Sequence, residues 1–444
     1  MQMHSKDFSA HPLPAISTLD SWRWMAGTFS KGAVMAIKAP KPGALAPRPA
    51  HVPAERVVDF DFTRIPGAEQ DIHAAWLKVQ RESPDLFWTP RNTGHWVVTR
   101  AELIEKVLLT PDVYSSEEVV LPRGAKPMVM LPIEADPPVH QHYRNLVAPW
   151  FTPKAVAKMR EGVQTLAIEM IEELQPKGSC EFVYDFAKRF PIAIFLQLVN
   201  LPTADRDMLL DITETAVRSK SALQIMKSFA RLTNYIEHWM RQRRAQAGDD
   251  LFSAIVNGQV MGRPLTHSEI QGFMVVILLG GLDTVAAMLS FMTKFLAENP
   301  GHRQQLIERP ELIPNAIDEM MRRFGIVNLS RLIAQDTVLD GVTLKKGDMI
   351  HVPNKLAGID DRRYSDPLTM DFTASGTNRH ASFGLGNHRC VGSVLARMEM
   401  AIFLEEWLKR IPDFGITPGD KPRTAAGSVS GVEHLPLTWK VHKP

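Results

Sequence analysis

The stretch ASFGLGNHRCVGSVL, residues 381–395, decides how the rest of the sequence is interpreted. Three glycines, Gly384, Gly386 and Gly392, surround one cysteine, and glycine permits tight turns and a close backbone approach that larger residues forbid. Apolar residues then recur at helical spacing, at Val394, Leu395, Met398, Ile402, Phe403 and Leu408. Cys390 therefore precedes a helix N-terminus, where unpaired N–H groups and the helix dipole favour a thiolate.

The pattern around this cysteine is long and specific. Residues 383–392 read F-G-x-G-x-H-R-C-x-G, and they resemble the haem-binding loop of the cytochrome P450 family, the haem-thiolate monooxygenases. The resemblance implies haem b as cofactor and Cys390 as the axial ligand of its iron. It also implies loop contacts to the haem from Phe383, Gly384, Gly386, His388 and Gly392. A single cysteine taken at random is more often a small buried hydrophobic residue, which is our interpretation of Cys180.

Composition excludes several other classes of protein. The chain has 444 residues, of which 45% are apolar and 23% charged, as in ordinary globular proteins. With 51 basic and 49 acidic residues the net charge is +2, too small to indicate a nucleic-acid partner. Two cysteines exclude a disulfide scaffold and agree with a reducing cytoplasm.

The apolar runs predict a cytoplasmic protein without a transmembrane anchor. The longest run, residues 273–282, is shorter than a membrane span and predicts a buried helix. The N-terminal residues MQMHSKDFSAHPL contain no apolar signal region. We expect residues 1–55 to form an N-terminal extension that ends in a proline-rich linker, and residues 56–444 to form one monomeric catalytic domain.

A long helix is predicted between Thr266 and Asn299. Thr266 and Glu269 match a capping box, and the Asn-Pro pair after the run ends it. The helix is longer than average, so it must cross the core. Adjacent glycines at 280 and 281 cost roughly 1 kcal/mol each relative to alanine. The space they leave accommodates either another helix or a ligand.

Asp283 and Thr284 follow these glycines directly. The Thr284 hydroxyl can reach the carbonyl of Gly280 and open the helix there. The stretch resembles the oxygen-activation segment of the family. The resemblance implies that Asp283 and Thr284 are catalytic, and that Gly280 and Gly281 lie beside the haem.

Two further motifs are weak by themselves and gain meaning from their positions. His140 and Arg144 share a helix face, and Glu319 and Arg322 are three residues apart; both pairs are ordinarily surface features. In the resembled family the first pair meets the haem propionates, with Arg331 as our candidate for a second propionate arginine. The Glu-x-x-Arg pair supports the haem-binding core. The further arginine that the family often adds is missing near residues 371–374, and Arg379 is a possible substitute.

The resemblance implies a mainly α fold with a smaller β region, triangular in outline, with a long central helix over the haem. Helices are predicted over 70–81, 101–109, from Asp136 onward, 154–175, 186–199, 203–217, 221–246, 266–298, 311–324 and 393–410. Strands are predicted over 86–89, 95–99, 331–334, 338–339, 342–344, 348–352 and within 431–441. The irregular segment over 114–133 is long enough to indicate a functional loop.

Three phrases, LLGGLDTV, RQQLIERPELIP and GVEHLPLTW, resemble the bacterial camphor hydroxylase branch. The branch implies O₂ as substrate and electrons from a [2Fe-2S] ferredoxin with an NADH-dependent reductase. Its motif offsets place substrate contacts at Val120, Met128, Ile133, Val276, Leu279, Val327, Leu329 and Val429. Met128 replaces the hydrogen-bonding tyrosine of the branch, unless it points to solvent and another residue donates.

An apolar pocket of this kind holds its substrate by shape. We therefore predict hydroxylation of an unactivated C–H bond in a small terpenoid, such as cineole, camphor or a norisoprenoid. Two alternatives are a haem-thiolate peroxygenase and a non-catalytic haem sensor. Neither would need the proton delivery to O₂ that Asp283 and Thr284 imply. A third alternative is a zinc site built from His380, His388 and Cys390, although the paired-cysteine spacing of structural zinc is missing.

Overall fold

A computed structural model describes residues 45–124, 128–218, 221–376 and 379–441. The predicted N-terminal extension lies outside the described residues up to residue 44. The segment that follows packs on the rest of the protein. The Ala46 N–H donates to the Pro90 carbonyl over 2.8 Å, His51 pairs with Asp348 at 2.8 Å, and Val52 is buried. The predicted linker therefore ends in a segment that belongs to the packed body.

The fold is mainly α with a smaller β region, as predicted. The described helices are α1 (Ala68–Glu82), α2 (Ala101–Leu109), α3 (Val139–Val147), α4 (Pro153–Ala157), α5 (Arg160–Leu174), α6 (Arg189–Leu198), α7 (Arg206–Arg218), α8 (Ala222–Ala245), α9 (Leu251–Val256), α10 (His267–Leu282), α11 (Thr284–Glu298), α12 (Pro300–Glu308), α13 (Ile313–Arg323), α14 (Lys355–Gly358) and α15 (Ser393–Arg410).

The strands are short and form small sheets. They are β1 (Leu86–Thr89), β2 (His95–Val98), β3 (Tyr114–Ser115), β4 (Ser179–Glu181), β5 (Gln259–Val260), β6 (Arg263–Pro264), β7 (Asn328–Ile333), β8 (Thr337–Leu339), β9 (Val342–Leu344), β10 (Met349–Pro353), β11 (Phe414–Ile416), β12 (Arg423–Ala425), β13 (Gly431–His434) and β14 (Pro436–Trp439). The largest sheet has the order β1-β2-β10-β7-β3, with β10 parallel to β2 and antiparallel to β7.

The central helix begins as predicted. The Thr266 side chain accepts from the Glu269 N–H, and the Glu269 carboxylate accepts from the Thr266 N–H, so the capping box is complete. Helices α10 and α11 meet at Asp283 (φ −98°, ψ −30°) and continue as one apolar unit of 32 residues. By length and composition alone it is the one helix in the described ranges able to cross a membrane, but 61% of its most apolar window is buried inside the protein. It is therefore a core helix.

Candidate active site

The cysteine loop is a tight turn held by its own backbone. Gly384 and Gly386 have φ of 69° and 62°, a region that disfavours residues with a Cβ. The Cys390 N–H donates to the Phe383 carbonyl over 2.8 Å. A Cβ at Gly386 would come within 3.2 Å of the Leu108 carbonyl oxygen. Glycine therefore permits both the turn and its close packing against the end of α2.

The sulfur of Cys390 lies in a recess. The residue is accessible to solvent, although enough protein surrounds the thiol that burial raises its pKa. A hydrogen bond from the Gly392 N–H and the charges of Arg144, Arg389 and Arg397 act in the opposite direction and stabilise a thiolate. An accessible sulfur surrounded by donors and cations suits a metal-bound thiolate.

Four nitrogen-bearing side chains gather beside this recess. The ring centroids of His140 and His388 lie 4.2 Å apart. Burial lowers the pKa of His388 to about 3, and the nearby Arg331, His140 and Arg144 contribute. Arg331 is buried, and burial lowers its pKa to about 10 while Asp136 opposes the change. The sequence-predicted propionate contacts are thus brought together from α3, β7 and the cysteine loop.

The cluster retains net positive charge because its guanidinium groups donate to neutral oxygens. Arg144 donates to the carbonyls of Asn387 and Arg389 at 3.3 and 2.6 Å. Arg331 donates to the Ser330 carbonyl at 2.8 Å. Arg331 is buried and Arg144 is half-buried. Since a buried cation is stabilised by an anionic partner, these groups fit the two carboxylates of a haem.

Ser116 is a member of this cluster that the sequence reasoning missed. Its hydroxyl lies 3.0 Å from His388 Nε2, and its N–H donates to Asp136 at 2.8 Å. In the sequence it lies within the irregular segment 114–133, which indicated a functional loop but no individual residue. Ser116 fixes the orientation of the His388 ring.

The junction of α10 and α11, at Asp283 and Thr284, has the predicted local geometry. The Thr284 hydroxyl donates to the Gly280 carbonyl over 2.7 Å. The two glycines differ in their surroundings. A Cβ at Gly280 would meet nothing within 4 Å, whereas one at Gly281 would lie 2.8 Å from the Phe195 ring. Gly280 thus faces open space, and Gly281 permits the close packing of α6.

One face of α10 carries the substrate residues predicted on this helix. Gly272, Val276, Leu279 and Asp283 recur at helical spacing and therefore share a face. A Cβ at Gly272 would lie 2.2 Å from the carbonyl oxygen of Val129. The loop that bears Met128 therefore crosses this face of the helix.

Most of the other predicted substrate residues are partly buried, and one is exposed. Val327 and Val429 pair in an isolated β-bridge, and Leu329 follows on β7. Met128, Leu279, Val327, Leu329 and Val429 are partly buried against the core. Partial burial of Met128 agrees with the predicted substrate contact rather than with a side chain that points fully to solvent. Val120 and Val276 are half-buried, whereas Ile133 is 37% exposed.

Glu319 and Arg322 form a buried ion pair at 2.8 Å. Arg322 also donates to the carbonyls of Gly358, Pro367 and Thr369. The Asp371 N–H donates to Glu319 over 3.3 Å, at the place where the family often has an arginine. Arg379 is exposed and instead closes a turn with the Gly376 carbonyl, so a backbone group takes the place of the third member.

The zinc alternative gains no support. In the four described ranges, no group of three or more His, Cys, Asp and Glu side chains is arranged to hold a metal ion. His380 lies 3.5 Å from Asp318, and His388 faces Ser116 and His140.

Comparison with known proteins gives one consistent family. The family model for cytochrome P450 matches residues 192–426. The probable cytochrome P450 127A1 of Sinorhizobium fredii is 32% identical over 404 residues, covering 88% of this chain and 97% of the relative. The steroid C26-monooxygenase of Mycolicibacterium smegmatis is 32% identical over 343 residues, covering 75% and 85%.

Two solved structures share the fold. CYP101J2 has a TM-score of 0.82 and 36% identity, and CYP101C1 has a TM-score of 0.83 and 37% identity. Each comparison covers 89% of this chain and all of the other. These likenesses agree with the resemblance to the camphor hydroxylase branch that the sequence predicted.

Haem b is the cofactor of this family. The accessible thiol, the cation cluster and the open backbone face at Gly280 fit that group. The chain belongs to the cytochrome P450 family of haem monooxygenases.

Proposed function

We propose that the protein hydroxylates an unactivated C–H bond of a small apolar terpenoid, such as cineole, camphor or a norisoprenoid. The observation that carries this proposal is the aliphatic group at the Val327–Val429 bridge, which with Leu329 is partly buried against the core. Aliphatic side chains bind a ligand through complementary shape and buried apolar surface, and each Å² of apolar surface removed from water contributes roughly 25 cal/mol of binding free energy. A compact hydrocarbon skeleton is the ligand that such a wall favours. The similarity to CYP101J2 and CYP101C1 supports the same class.

A bound haem would supply the chemistry that activates O₂, and a thiolate ligand would supply electron density to it. In this proposal Cys390 would be that ligand. The propionates would be held through charge-assisted hydrogen bonds by His140, Arg144, Arg331 and His388. The backbone turns at Gly384 and Gly386, with Phe383 and Gly392, hold the cysteine in place.

Thr284 and Asp283 deliver protons in the proposed reaction. The hydroxyl hydrogen of Thr284 is already donated to Gly280, so the oxygen lone pairs of Thr284 are directed at an incoming donor such as water. Asp283 is the adjacent residue, and a carboxylate there can pass protons inward from solvent. The open face of Gly280 provides room for water and O₂ beside the hydroxyl.

The electrons come from a redox partner, as in the rest of the family. We propose a [2Fe-2S] ferredoxin, reduced by an NADH-dependent reductase, acting on a monomeric cytoplasmic enzyme. The support is the likeness to the CYP101 structures, which covers 89% of the chain. The Asp283–Thr284 pair favours this route over a peroxygenase, because peroxide already carries the protons that the pair would deliver.

A binding screen tests the substrate class. The purified holoprotein is titrated with 1,8-cineole, camphor and β-ionone, and with a steroid and a long-chain fatty acid as controls. Compact terpenoids are expected to displace water from the iron, which shifts the Soret band. Tight binding of the steroid or the fatty acid without any response to terpenoids contradicts the proposal.

A turnover assay follows for the best ligand. NADH, ferredoxin reductase and ferredoxin are expected to give a product one oxygen atom heavier than the substrate. A product formed only with added peroxide contradicts the ferredoxin route.

A further inference from the structure

We propose that Lys355 is a positioning residue. It is buried behind the proposed substrate wall, which is formed by Val327 and Leu329 on one segment and Val429 on the other, and it fixes the spacing of these two segments. The identification of the wall rests on the proposed function. The lysine itself is not part of the pocket surface, because its side chain is completely buried. It would act on ligand selection through the residues that it holds.

Lys355 begins α14, and one residue, Asn354, separates it from strand β10. Its Nζ donates to Asn328 Oδ1 and to Ser430 Oγ, both at 2.9 Å. The same nitrogen lies 5.5 Å from the centroid of the Trp76 ring. Both oxygen acceptors are neutral, so the ammonium group is held by dipoles and a ring face rather than by a carboxylate.

The two acceptors belong to the two segments of the wall. Asn328 lies between Val327 and Leu329, and Ser430 follows Val429. Since successive strand residues point to opposite faces, the polar side chains lie behind the apolar ones. The ammonium group therefore joins the two segments from the rear.

Further hydrogen bonds make this connection stiff. The Asn328 N–H donates to the Ser428 carbonyl at 2.9 Å, and the Ser430 N–H donates to the Ile326 carbonyl at 2.8 Å. The Asn328 amide also donates to the Gly427 carbonyl at 2.7 Å. The two segments pair through a single isolated bridge between Val327 and Val429. The lysine adds a connection between their side chains behind that bridge.

A lysine is a costly residue at this position. Burying an ammonium group without a carboxylate is unfavourable, and burial lowers the pKa of Lys355 to about 7. Methionine has a similar length and would fill the space without this cost. The neighbouring titratable groups are His73 and His351, and burial lowers the pKa of both well below neutrality. Lys355 is therefore the member of this group that titrates near neutral pH.

The first test measures the wall directly in the holoprotein. Pyridine and 4-phenylpyridine bind haem iron through the same nitrogen, and the phenyl ring of the second also occupies the pocket. In Lys355→Met, 4-phenylpyridine affinity is expected to fall about tenfold, comparable to one lost hydrogen bond, while pyridine affinity stays unchanged. Lys78→Met, an exposed lysine on α1, is the matched control. The proposal is overturned if the ratio of 4-phenylpyridine affinity to pyridine affinity in Lys355→Met equals the ratio in the wild type.

Two acceptor variants keep the test decisive if Lys355→Met does not fold. Asn328→Ala and Ser430→Ala each remove one acceptor and leave the lysine in place. Each is expected to lower the affinity for 4-phenylpyridine relative to pyridine. Wild-type ratios in both variants overturn the proposal.

A second measurement separates positioning from simple structural support. With ¹³C-labelled lysine, one ε-carbon resonance is expected to titrate near neutrality and to be missing in Lys355→Met. By linkage, a lysine coupled to the wall changes its titration midpoint when 4-phenylpyridine binds, but not when pyridine binds. A midpoint unchanged by either ligand contradicts positioning.

The pyridine ligands also keep the two proposals distinct, because they bind whatever the natural substrate is. Failure of every terpenoid to bind would defeat the proposed function and leave this test intact.

Discussion

At the scale of single residues, Thr284 is defined by one hydrogen bond. Its hydroxyl donates to the Gly280 carbonyl, which fixes the oxygen beside an open backbone face. Thr284→Ala should keep ligand binding, because no apolar wall residue changes, but should divert NADH consumption to hydrogen peroxide. Peroxide formed per NADH consumed is the measurement.

Thr284→Ser is the matched control, since it keeps the hydroxyl and should remain largely coupled. Fully coupled turnover by Thr284→Ala removes this residue from the proton path.

Met128 tests the predicted absence of a hydrogen bond to the substrate. The residue is partly buried against the core, on the loop that crosses α10 at Gly272. Met128→Tyr should tighten camphor binding about tenfold, because a phenol can donate to the ketone. Met128→Phe adds the ring without the hydroxyl and should give no comparable gain. The measurement is the camphor dissociation constant of each variant, obtained from the Soret shift. An equal gain in camphor affinity in both variants would contradict a hydrogen bond.

Residue-scale prediction succeeded where a motif is both long and local. The position of Cys390 before a helix and the bond from Thr284 to Gly280 follow from neighbours in the sequence, and the structure contains both. Lys355 was missed because its acceptors come from segments 27 and 75 residues away. A lysine inside the apolar run VPNKLAGI was the available signal.

At the scale of elements, the two glycines of the central helix have separable effects. Gly281→Ala places a methyl group 2.8 Å from Phe195, and overpacking of this kind costs about 1–3 kcal/mol of unfolding free energy. Gly280→Ala meets no other protein atom within 4 Å, so in the haem-free protein it should stabilise the helix by up to about 1 kcal/mol. Urea denaturation of both variants in their haem-free forms is the measurement. Destabilisation by Gly280→Ala that equals or exceeds that of Gly281→Ala contradicts the assigned faces.

Long periodic elements were predictable, and short ones were not. The capping box gave the start of α10, and the apolar repeat gave α15 at its observed bounds, Ser393–Arg410. The helix predicted over 154–175 is divided into α4 and α5 near Met159. Helices α9 and α12 and the two-residue strands β5 and β6 were missed, because a few residues carry too little periodicity to detect.

At the scale of the whole molecule, the largest sheet depends on pairings that no local pattern reveals. Strand β10 pairs with β2 about 250 residues earlier in the chain, and this pairing buries His95 and His351 together with Phe62. The sequence predicted these strands but not their order. Family resemblance, rather than periodicity, supplied the expectation of a mainly α fold with a smaller β region, and it gave no strand order.

The buried imidazoles predict how stability depends on pH. Burial lowers the pKa of His95 from 6.5 to about 4. Between these values the unfolded chain binds a proton that the folded protein does not. Stability should therefore fall as pH falls through this window, by up to about 1.4 kcal/mol per pH unit for each such histidine.

His95→Gln isolates this contribution because glutamine does not titrate. Urea denaturation of the holoprotein at about pH 7 and about pH 5 should show a smaller loss of stability for the variant than for the wild type. An equal loss in both proteins would show that His95 is not buried in its neutral form.

The carbon monoxide spectrum of the reduced protein shows whether Cys390 is the thiolate that holds the haem iron. The wild type should give the thiolate-type spectrum. Cys180→Ser should keep it, because burial strongly raises the pKa of the Cys180 thiol and leaves it protonated. Cys390→Ser should lose the spectrum entirely; its retention in that variant would show that Cys390 does not bind the iron.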